Sequence, residues 1–123
     1  MTRVLNMSTH DKINYVEFPA KDLASTKRFF SQVFNWVFTD YGPEYTAFSN
    51  SGLEGGFFQS EQSSQTQLGS ALIVLYSKSL NETQNNIEKA GGVIVKPIFD
   101  FPGGQRFHFT DPNGNEFAVW SDI

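Results

Sequence analysis

The sequence predicts an α+β fold in which two βαβββ modules form one domain, with curved mixed sheets that enclose a cleft. The main observation is an internal repeat. An offset of 57 residues places Phe30 on Ile87, within matching strand and helix patterns. Beyond the second strand the offset becomes 62, which places Glu54 on Glu116. The two halves differ in loop length, but their apolar residues fall at equivalent positions. A length of 123 residues suits a single domain.

Module one spans about 12–59. Residues 12–18 alternate in the manner of a strand, and Pro19 is expected to end it because proline cannot donate to a ladder. Asp22 is a suitable N-cap for a helix over about 23–35. One stripe of that helix is formed by Leu23, Thr26, Phe30, Val33 and Phe34. Three strands separated by turn residues follow, at about 36–41, 44–50 and 53–59.

Module two spans about 70–121 and follows a polar segment, 60–69, that we interpret as a connecting loop without a functional role. Ser79 or Asn81 is expected to cap its helix, and Gly91 with the next glycine to stop it. The turns after it include Pro-Gly-Gly and Asp-Pro-Asn-Gly sequences. The expected elements are a strand, a helix and three strands, at about 71–77, 80–90, 93–99, 105–110 and 115–121.

Composition restricts the function classes. The absence of cysteine excludes disulfides, thiolate metal sites and a cysteine nucleophile. A net charge of −4 with no basic cluster argues against nucleic-acid binding, and no apolar run is long enough to cross a bilayer. The N-terminus has no apolar core of signal-peptide length, so we expect a cytoplasmic protein with residues 1–6 as a loose tail.

Three segments carry a family resemblance. Residues 13–36 resemble the opening strand and helix of the glyoxalase/bleomycin-resistance/extradiol dioxygenase (vicinal oxygen chelate) superfamily. Residues 90–92 resemble the end of its second helix, and 111–115, with Phe117 and Trp120, its closing turn and strand. The resemblance covers about 12–121 and is greatest to the glyoxalase-related branch. It implies a small-molecule ligand and a homodimer.

The resemblance also locates the family's divalent metal, which its enzymes hold with His and Glu. The corresponding positions fall on Tyr15, Leu72, Gly56 and Ala118. None is a histidine or a carboxylate, and leucine, glycine and alanine have no side-chain donor. The inherited metal site is therefore expected to be absent, and no cofactor is predicted.

Five residues are candidates for a site in the cleft. His108 and Glu17 are the catalytic candidates, as an acid–base pair or as hydrogen-bonding groups. Tyr15, Arg106 and Trp120 are the ligand-binding candidates, since Tyr15 shares a strand face with Glu17, and Arg106 shares one with His108. Each also has a structural interpretation, as a packed aromatic or a solvated strand residue.

The favoured function is metal-independent binding of a small molecule in the inter-sheet cleft by a glyoxalase/bleomycin-resistance-like protein. Two alternatives stay open. One is a lyase or isomerase that uses the His108/Glu17 pair or a displaced metal held by His108, Glu17 and Glu116. The other is a dimeric interaction domain without a small ligand. The sequence does not identify the ligand, or decide whether the cleft forms within one chain or between two.

Overall fold

A computed structural model describes residues 8–123, so the tail expected at residues 1–6 lies outside the described residues. Two helices and eight strands follow one another in the order β-α-β-β-β, twice, within that range. They are β1 (Val16–Ala20), α1 (Leu23–Phe34), β2 (Val37–Asp40), β3 (Tyr45–Ser49), β4 (Gly55–Gln59), β5 (Ile73–Tyr76), α2 (Leu80–Lys89), β6 (Val93–Phe101), β7 (Gly104–Thr110) and β8 (Glu116–Ser121).

The strands form two four-stranded mixed sheets with the same topology. The first sheet has the order β1-β4-β3-β2 and the second the order β5-β8-β7-β6. In each, the first and last strands of the module are parallel and the other pairs are antiparallel. Val16 pairs with Gly55, and Ile73 pairs with Phe117, as the offsets of 57 and 62 require. The predicted α+β fold of two βαβββ modules is confirmed.

Local capping explains where the helices begin and end. The Asp22 carboxylate accepts hydrogen bonds from the backbone N–H groups of Ala24 (3.0 Å) and Ser25 (3.3 Å), so it caps α1 as predicted. Asn35 ends α1 in the left-handed conformation, with φ of 61°. At α2, Ser79 is the N-cap rather than the alternative, Asn81. No helix in the described part of the chain is long and apolar enough to cross a membrane.

Strand β1 differs from its prediction at both ends. It starts at Val16 rather than at residue 12, and it continues through Pro19 to Ala20. The expectation that Pro19 ends the strand was wrong because β1 is an edge strand, paired only with β4. The Val16 N–H donates to the carbonyl oxygen of Glu54, the residue before β4. Since N–H groups alternate in direction along a strand, the Pro19 nitrogen faces the open edge, where no donor is needed.

The helices and the helix-facing sides of both sheets share one aromatic core. Phe30 of α1 is fully buried, and its ring centre lies 5.5 Å from that of Phe57 in the first sheet and 5.3 Å from that of Phe117 in the second. Phe18 also contacts Phe117 directly, at 5.0 Å. We call the side of each sheet that faces away from the helices its outer face. Since strand side chains alternate, the neighbours of these phenylalanines lie on the two outer faces.

Candidate functional site

The predicted site residues lie in two separate groups. Tyr15 and Glu17 are on the outer face of the first sheet, one residue to either side of Val16, which packs against the core. Arg106 and His108 alternate with buried core residues of β7, and Trp120 alternates with those of β8, so these three lie on the outer face of the second sheet. The structure therefore does not bring Glu17 and His108 together within one chain.

On the first sheet, two tyrosines and a carboxylate form a hydrogen-bonded chain. The Tyr45 hydroxyl donates to Glu17 Oε2 at 2.8 Å, and the Tyr15 and Tyr45 hydroxyl oxygens are 2.7 Å apart. Because the single hydroxyl hydrogen of Tyr45 is donated in the hydrogen bond to Glu17, Tyr15 must be the donor in its hydrogen bond with Tyr45. Burial, and then the hydrogen bonds with Tyr15 and Glu17, raise the pKa of Tyr45 above its ordinary value. Tyr45 thus stays protonated and holds Glu17 in place.

Tyr45 also fills the place of one inherited metal-ligand position. Gly56 pairs with Glu17 across the parallel β1–β4 ladder, and a Cβ on Gly56 would collide with the Tyr45 hydroxyl. A carboxylate cannot be placed there while Tyr45 keeps its position. At the matching place in module two, Ala118 is fully buried and pairs with His108.

The donor atoms at the four inherited positions therefore do not fit a divalent metal. Tyr15 is the single one with a side-chain oxygen, and that oxygen is bonded to Tyr45. The displaced alternative needs His108, Glu17 and Glu116 together. No group of three or more such ligands is placed to hold a metal ion within residues 8–123.

On the second sheet, His108 bridges a cation and a carboxylate. Its Nδ1 lies 3.1 Å from Glu116 Oε2, and its Nε2 lies 2.9 Å from Arg106 Nη2 and 3.3 Å from Arg106 Nε. Arginine has no acceptor, so Nε2 must accept from Arg106, and the imidazole proton is on Nδ1, where it is donated to Glu116. The geometry thus assigns a neutral imidazole that is 7% exposed and has both nitrogens engaged.

The connecting loop holds Glu116 from the other side. Glu116 Oε1 accepts from the Thr66 backbone N–H and from the Thr66 hydroxyl, each at 2.8 Å. The Glu116 N–H donates to the carbonyl oxygen of Ser64 at 2.8 Å. Burial by itself would raise the pKa of Glu116, but the hydrogen bonds from Thr66 and His108 lower it below the ordinary value. The carboxylate is therefore held ionised beside the histidine.

An aromatic pocket adjoins this network. It has a volume of about 330 Å³ and is lined by Val74, Phe101, Gly103, Arg106 and Trp120. The Phe101 and Trp120 rings are 6.2 Å apart in an edge-on arrangement, and the Arg106 guanidinium carbon lies 5.7 Å from the centre of Phe101. Two of the three predicted ligand-binding residues thus share one pocket, which we call the Arg106 pocket, while Tyr15 lies on the other sheet.

Two larger hollows have a different character. One, of about 580 Å³, is on the outer face of the first sheet, where Tyr15, Tyr41 and Tyr45 line it. The other is the cleft between the modules, with a volume of about 710 Å³. It is lined by residues 50–53, 72–76 and core side chains such as Trp36, with no histidine, carboxylate or cation. None of the five predicted site residues lines this cleft.

Sequence reasoning missed Tyr45, Thr66 and Phe101. Tyr45 lies 28 residues from Glu17, and Thr66 lies 50 residues from Glu116, so no local motif connects the partners. Phe101 belongs to a strand that was expected to end at about 99. It lies two residues after Phe99, and this spacing is a signal that could have placed both rings on the same face.

The Asp-Pro-Asn-Gly turn ties the two modules together. Asp111 is 2% exposed and accepts from the backbone N–H groups of Asn113 and Asn115, each at 2.9 Å. Burial raises the pKa of Asp111 to about 6, although these hydrogen bonds oppose the shift. The Asn113 side-chain oxygen accepts from the N–H of Asp22, and the Asn115 side chain donates to the carbonyl oxygen of Pro19 at 2.7 Å. Both partners belong to the first module. The turn thus has a structural role.

One family model matches most of the chain. The family model described as the Glyoxalase/Bleomycin resistance protein/Dioxygenase superfamily matches residues 12–119. A search of the curated proteins found no match.

Several solved structures share the fold at low identity, as three of them illustrate. A glyoxalase/bleomycin resistance protein/dioxygenase family enzyme from Burkholderia phytofirmans PsJN is 17% identical, covers 89% of this chain and 97% of its own, and has a TM-score of 0.72. A mutant of the fosfomycin resistance protein FosX from Listeria monocytogenes was solved with Mn(II) and 1S,2S-dihydroxypropylphosphonic acid. It is 19% identical, covers 91% of this chain and 90% of its own, and has a TM-score of 0.73. A lactoylglutathione lyase from Agrobacterium tumefaciens is 18% identical, covers 92% of this chain and 95% of its own, and has a TM-score of 0.69.

Proposed function

This chain belongs to the Glyoxalase/Bleomycin resistance protein/Dioxygenase superfamily, and we propose that it is a metal-independent member that binds a small molecule in the Arg106 pocket. The observation that carries the proposal is the fixed position of Arg106. Its guanidinium is held by His108, which is held by Glu116, which is held by Thr66. A cation fixed in advance beside aromatic walls binds a ligand without the entropic cost of being ordered on binding.

Independence from metal is the second part of the proposal. Its support is the donor set: Tyr45 fills the space beside Gly56, and the other inherited positions include Leu72 and Ala118. The FosX structure holds Mn(II), but its low identity to this chain supports a shared fold and not a shared metal site. The ligand would therefore be held by side chains alone.

The contacts of His108 favour binding over acid–base catalysis. A general base needs a nitrogen that can take a proton from a substrate. In His108, Nε2 accepts from Arg106 and Nδ1 donates to Glu116, while Glu17 is engaged with Tyr45 on the other sheet. An acid–base pair of His108 and Glu17 would need the outer faces of two different chains to meet. We therefore place sequestration or transport of a ligand ahead of a lyase or isomerase activity.

A homodimer in the cytoplasm completes the proposal. Support for the dimer comes from apolar side chains exposed on both outer faces: Phe58 is 37% exposed on the first sheet, and Val74 is 42% exposed on the second. The faces also differ in charge, because the first carries Glu17, whereas the second carries Lys96 and Arg106 together with Glu116. Opposite charges on two faces favour contact between copies. The cytoplasmic location is supported by a composition without cysteine, which suits a reducing compartment.

A fragment screen by ligand-observed NMR tests the function. We expect saturable binding of single-ring compounds by protein treated with chelator, unchanged by added Zn²⁺, Ni²⁺, Mn²⁺ or Fe²⁺. Trp120→Ala should weaken binding because it removes one wall of the pocket. Tyr41→Ala is the matched control, since it removes an exposed aromatic ring from the other sheet. Fragments that bind Trp120→Ala as well as wild type, or that bind only with stoichiometric metal, would contradict the proposal.

A further inference from the structure

Two cations lie on the outer face of the second sheet without an acidic partner. Neither Arg106 nor Lys96 takes part in an ion pair within residues 8–123, although the chain as a whole has a net charge of −4. Both lie against Phe99: Lys96 Nζ is 4.5 Å and the Arg106 guanidinium carbon 5.6 Å from the ring centre. Contact with a ring attracts a cation but does not neutralise it. Two carboxylates lie on the same face, but Glu116 is hydrogen-bonded to Thr66 and His108, and Asp122 is hydrogen-bonded to Tyr76. The two cations are therefore the charged groups of this face that can pair with an anion.

The hydrogen bonds of Arg106 leave one edge of its guanidinium free. The edge formed by Nε and Nη2 is directed at His108 Nε2. The other edge, formed by the two terminal nitrogens, has no acceptor among the described residues. Two parallel N–H groups on one edge match the two oxygens of a carboxylate or a phosphate. Because His108 and Glu116 fix the first edge, the free fork has a defined direction.

The walls of the pocket select the rest of the ligand. Trp120 and Phe101 meet edge to face, and Val74 lies beside them. The volume, about 330 Å³, is near the lower end of the range of roughly 300–1,000 Å³ for ligand pockets. A pocket of that size with aromatic walls suits a single planar ring.

We propose that the Arg106 pocket takes a small aromatic oxyanion, with its carboxylate or phosphate group on the free fork of Arg106 and its ring against Trp120 and Phe101. This inference rests on the proposed function and names its ligand class. Lys96 adds a second positive charge on the same face. Arg106 is then the residue that sets specificity, and His108 with Glu116 are positioning residues that aim it.

Titration calorimetry with four probes of one ring size tests the inference. Benzoate and phenyl phosphate are the anions, benzamide is the neutral analogue and benzylammonium the cation. We expect the better anion to bind at least about tenfold more tightly than benzamide, as a charge-assisted hydrogen bond predicts. The comparison of benzoate with phenyl phosphate identifies the preferred oxyanion. In Arg106→Gln this preference should vanish, and in Arg106→Lys it should shrink, because lysine keeps the charge but lacks the fork.

Lys89→Gln is the matched control, since it removes an exposed cation at the end of α2 and should leave the preference unchanged. Equal affinities for benzoate, phenyl phosphate and benzamide in wild type, or a preference that survives in Arg106→Gln, would overturn the inference. If wild type bound these probes equally and Trp120→Ala no longer bound them, the pocket would still be the binding site. Only the preference for an anion would then be wrong. Absence of binding by all four probes would also overturn the inference, and the fragment screen then decides the proposed function separately.

Discussion

At the scale of single residues, hydrogen-bond direction decides what His108 and Tyr45 can do. Each has a side chain of a type often used in acid–base chemistry, and each is fully engaged with its neighbours. The Nε2 lone pair of His108 accepts from Arg106, and the Tyr45 hydroxyl donates its hydrogen bond to Glu17. Residue type alone therefore overstates the chemistry available, because a group that both donates and accepts internally serves to position its partners.

Asp111 gives a prediction about pH at this scale. Its pKa is raised to about 6 in the folded state, from an ordinary value of 3.8, mainly because it is buried. A folded state that holds a proton more tightly than the unfolded state loses stability as pH rises, here between about 4 and 6. We expect Asp111→Asn, which stays neutral, to gain roughly 2 to 3 kcal/mol in unfolding free energy relative to wild type across that window. Urea unfolding at pH 4, 5, 6 and 7 measures this.

Comparing the unfolding free energy of the variant with that of wild type separates Asp111 from groups whose stability contribution changes in the opposite direction with pH. The pKa of Glu116 is lowered in the folded state, so its contribution is lost as pH falls, and it is the same in both proteins. A stability difference between Asp111→Asn and wild type that stays constant from pH 4 to 7 would show that the folded-state pKa of Asp111 is not raised.

At the scale of elements, the connecting segment 60–69 has more influence than its composition indicates. It is polar, and it contains a short 3-10 turn at Thr66–Leu68. Hydrogen bonds attach it to the start of β8, through Ser64 and Thr66 on one side and Glu116 on the other. The loop thereby closes the chain of contacts that ends at Arg106. Its position, rather than any motif within it, links it to the site.

Thr66→Val tests this connection, because valine has the same shape but lacks the hydroxyl that donates to Glu116. We expect a loss of about 1 kcal/mol in unfolding free energy, together with a several-fold weaker affinity for the ligands of the Arg106 pocket. Chemical denaturation and calorimetry measure the two effects. Thr39→Val, on β2 of the first sheet, is the matched control. An unchanged affinity in Thr66→Val would mean that the Thr66 hydroxyl does not help to hold the site.

At the scale of the whole molecule, the buried helices determine how the sites are arranged. The aromatic core between the sheets includes residues of both helices, so the two outer faces of one chain do not meet each other. The chain of Tyr15, Tyr45 and Glu17 is on one face, and the Arg106 pocket is on the other. A site that combines them requires a second copy of the chain. The apolar side chains exposed on these faces, such as Phe58 and Val74, are the physical reason to expect a dimer.

Sedimentation velocity tests this expectation. We expect a dimer at micromolar concentrations. Phe58→Glu should shift it to a monomer, because it places a charge among the apolar side chains of the first outer face. Leu68→Glu is the matched control, since Leu68 is 71% exposed but lies on the connecting loop rather than on a sheet face. A wild-type protein that sediments as a monomer at all concentrations would contradict the dimer.

The sequence by itself determined the element order, the two modules and the outer-face grouping of Arg106 with His108. These follow from local rules, because capping, turn residues and the two-residue period of a strand depend on neighbours in the chain. The internal repeat extended those rules across the molecule, and the structure pairs equivalent residues in both sheets: Val16 with Gly55, and Ile73 with Phe117. Local rules failed at strand ends: β1 starts at Val16 and β6 continues to Phe101, and β1 also passes through Pro19, which is tolerated because β1 is an edge strand.

The tertiary structure decided which side chains meet. Tyr45 reaches Glu17, and Thr66 reaches Glu116, across 28 and 50 residues of chain. It also separated Glu17 from His108, which the sequence had joined in one cleft, because the shared core turns their outer faces away from each other. Contacts between distant segments depend on how whole sheets and helices pack, and a periodic pattern within one strand carries no information about the packing of another.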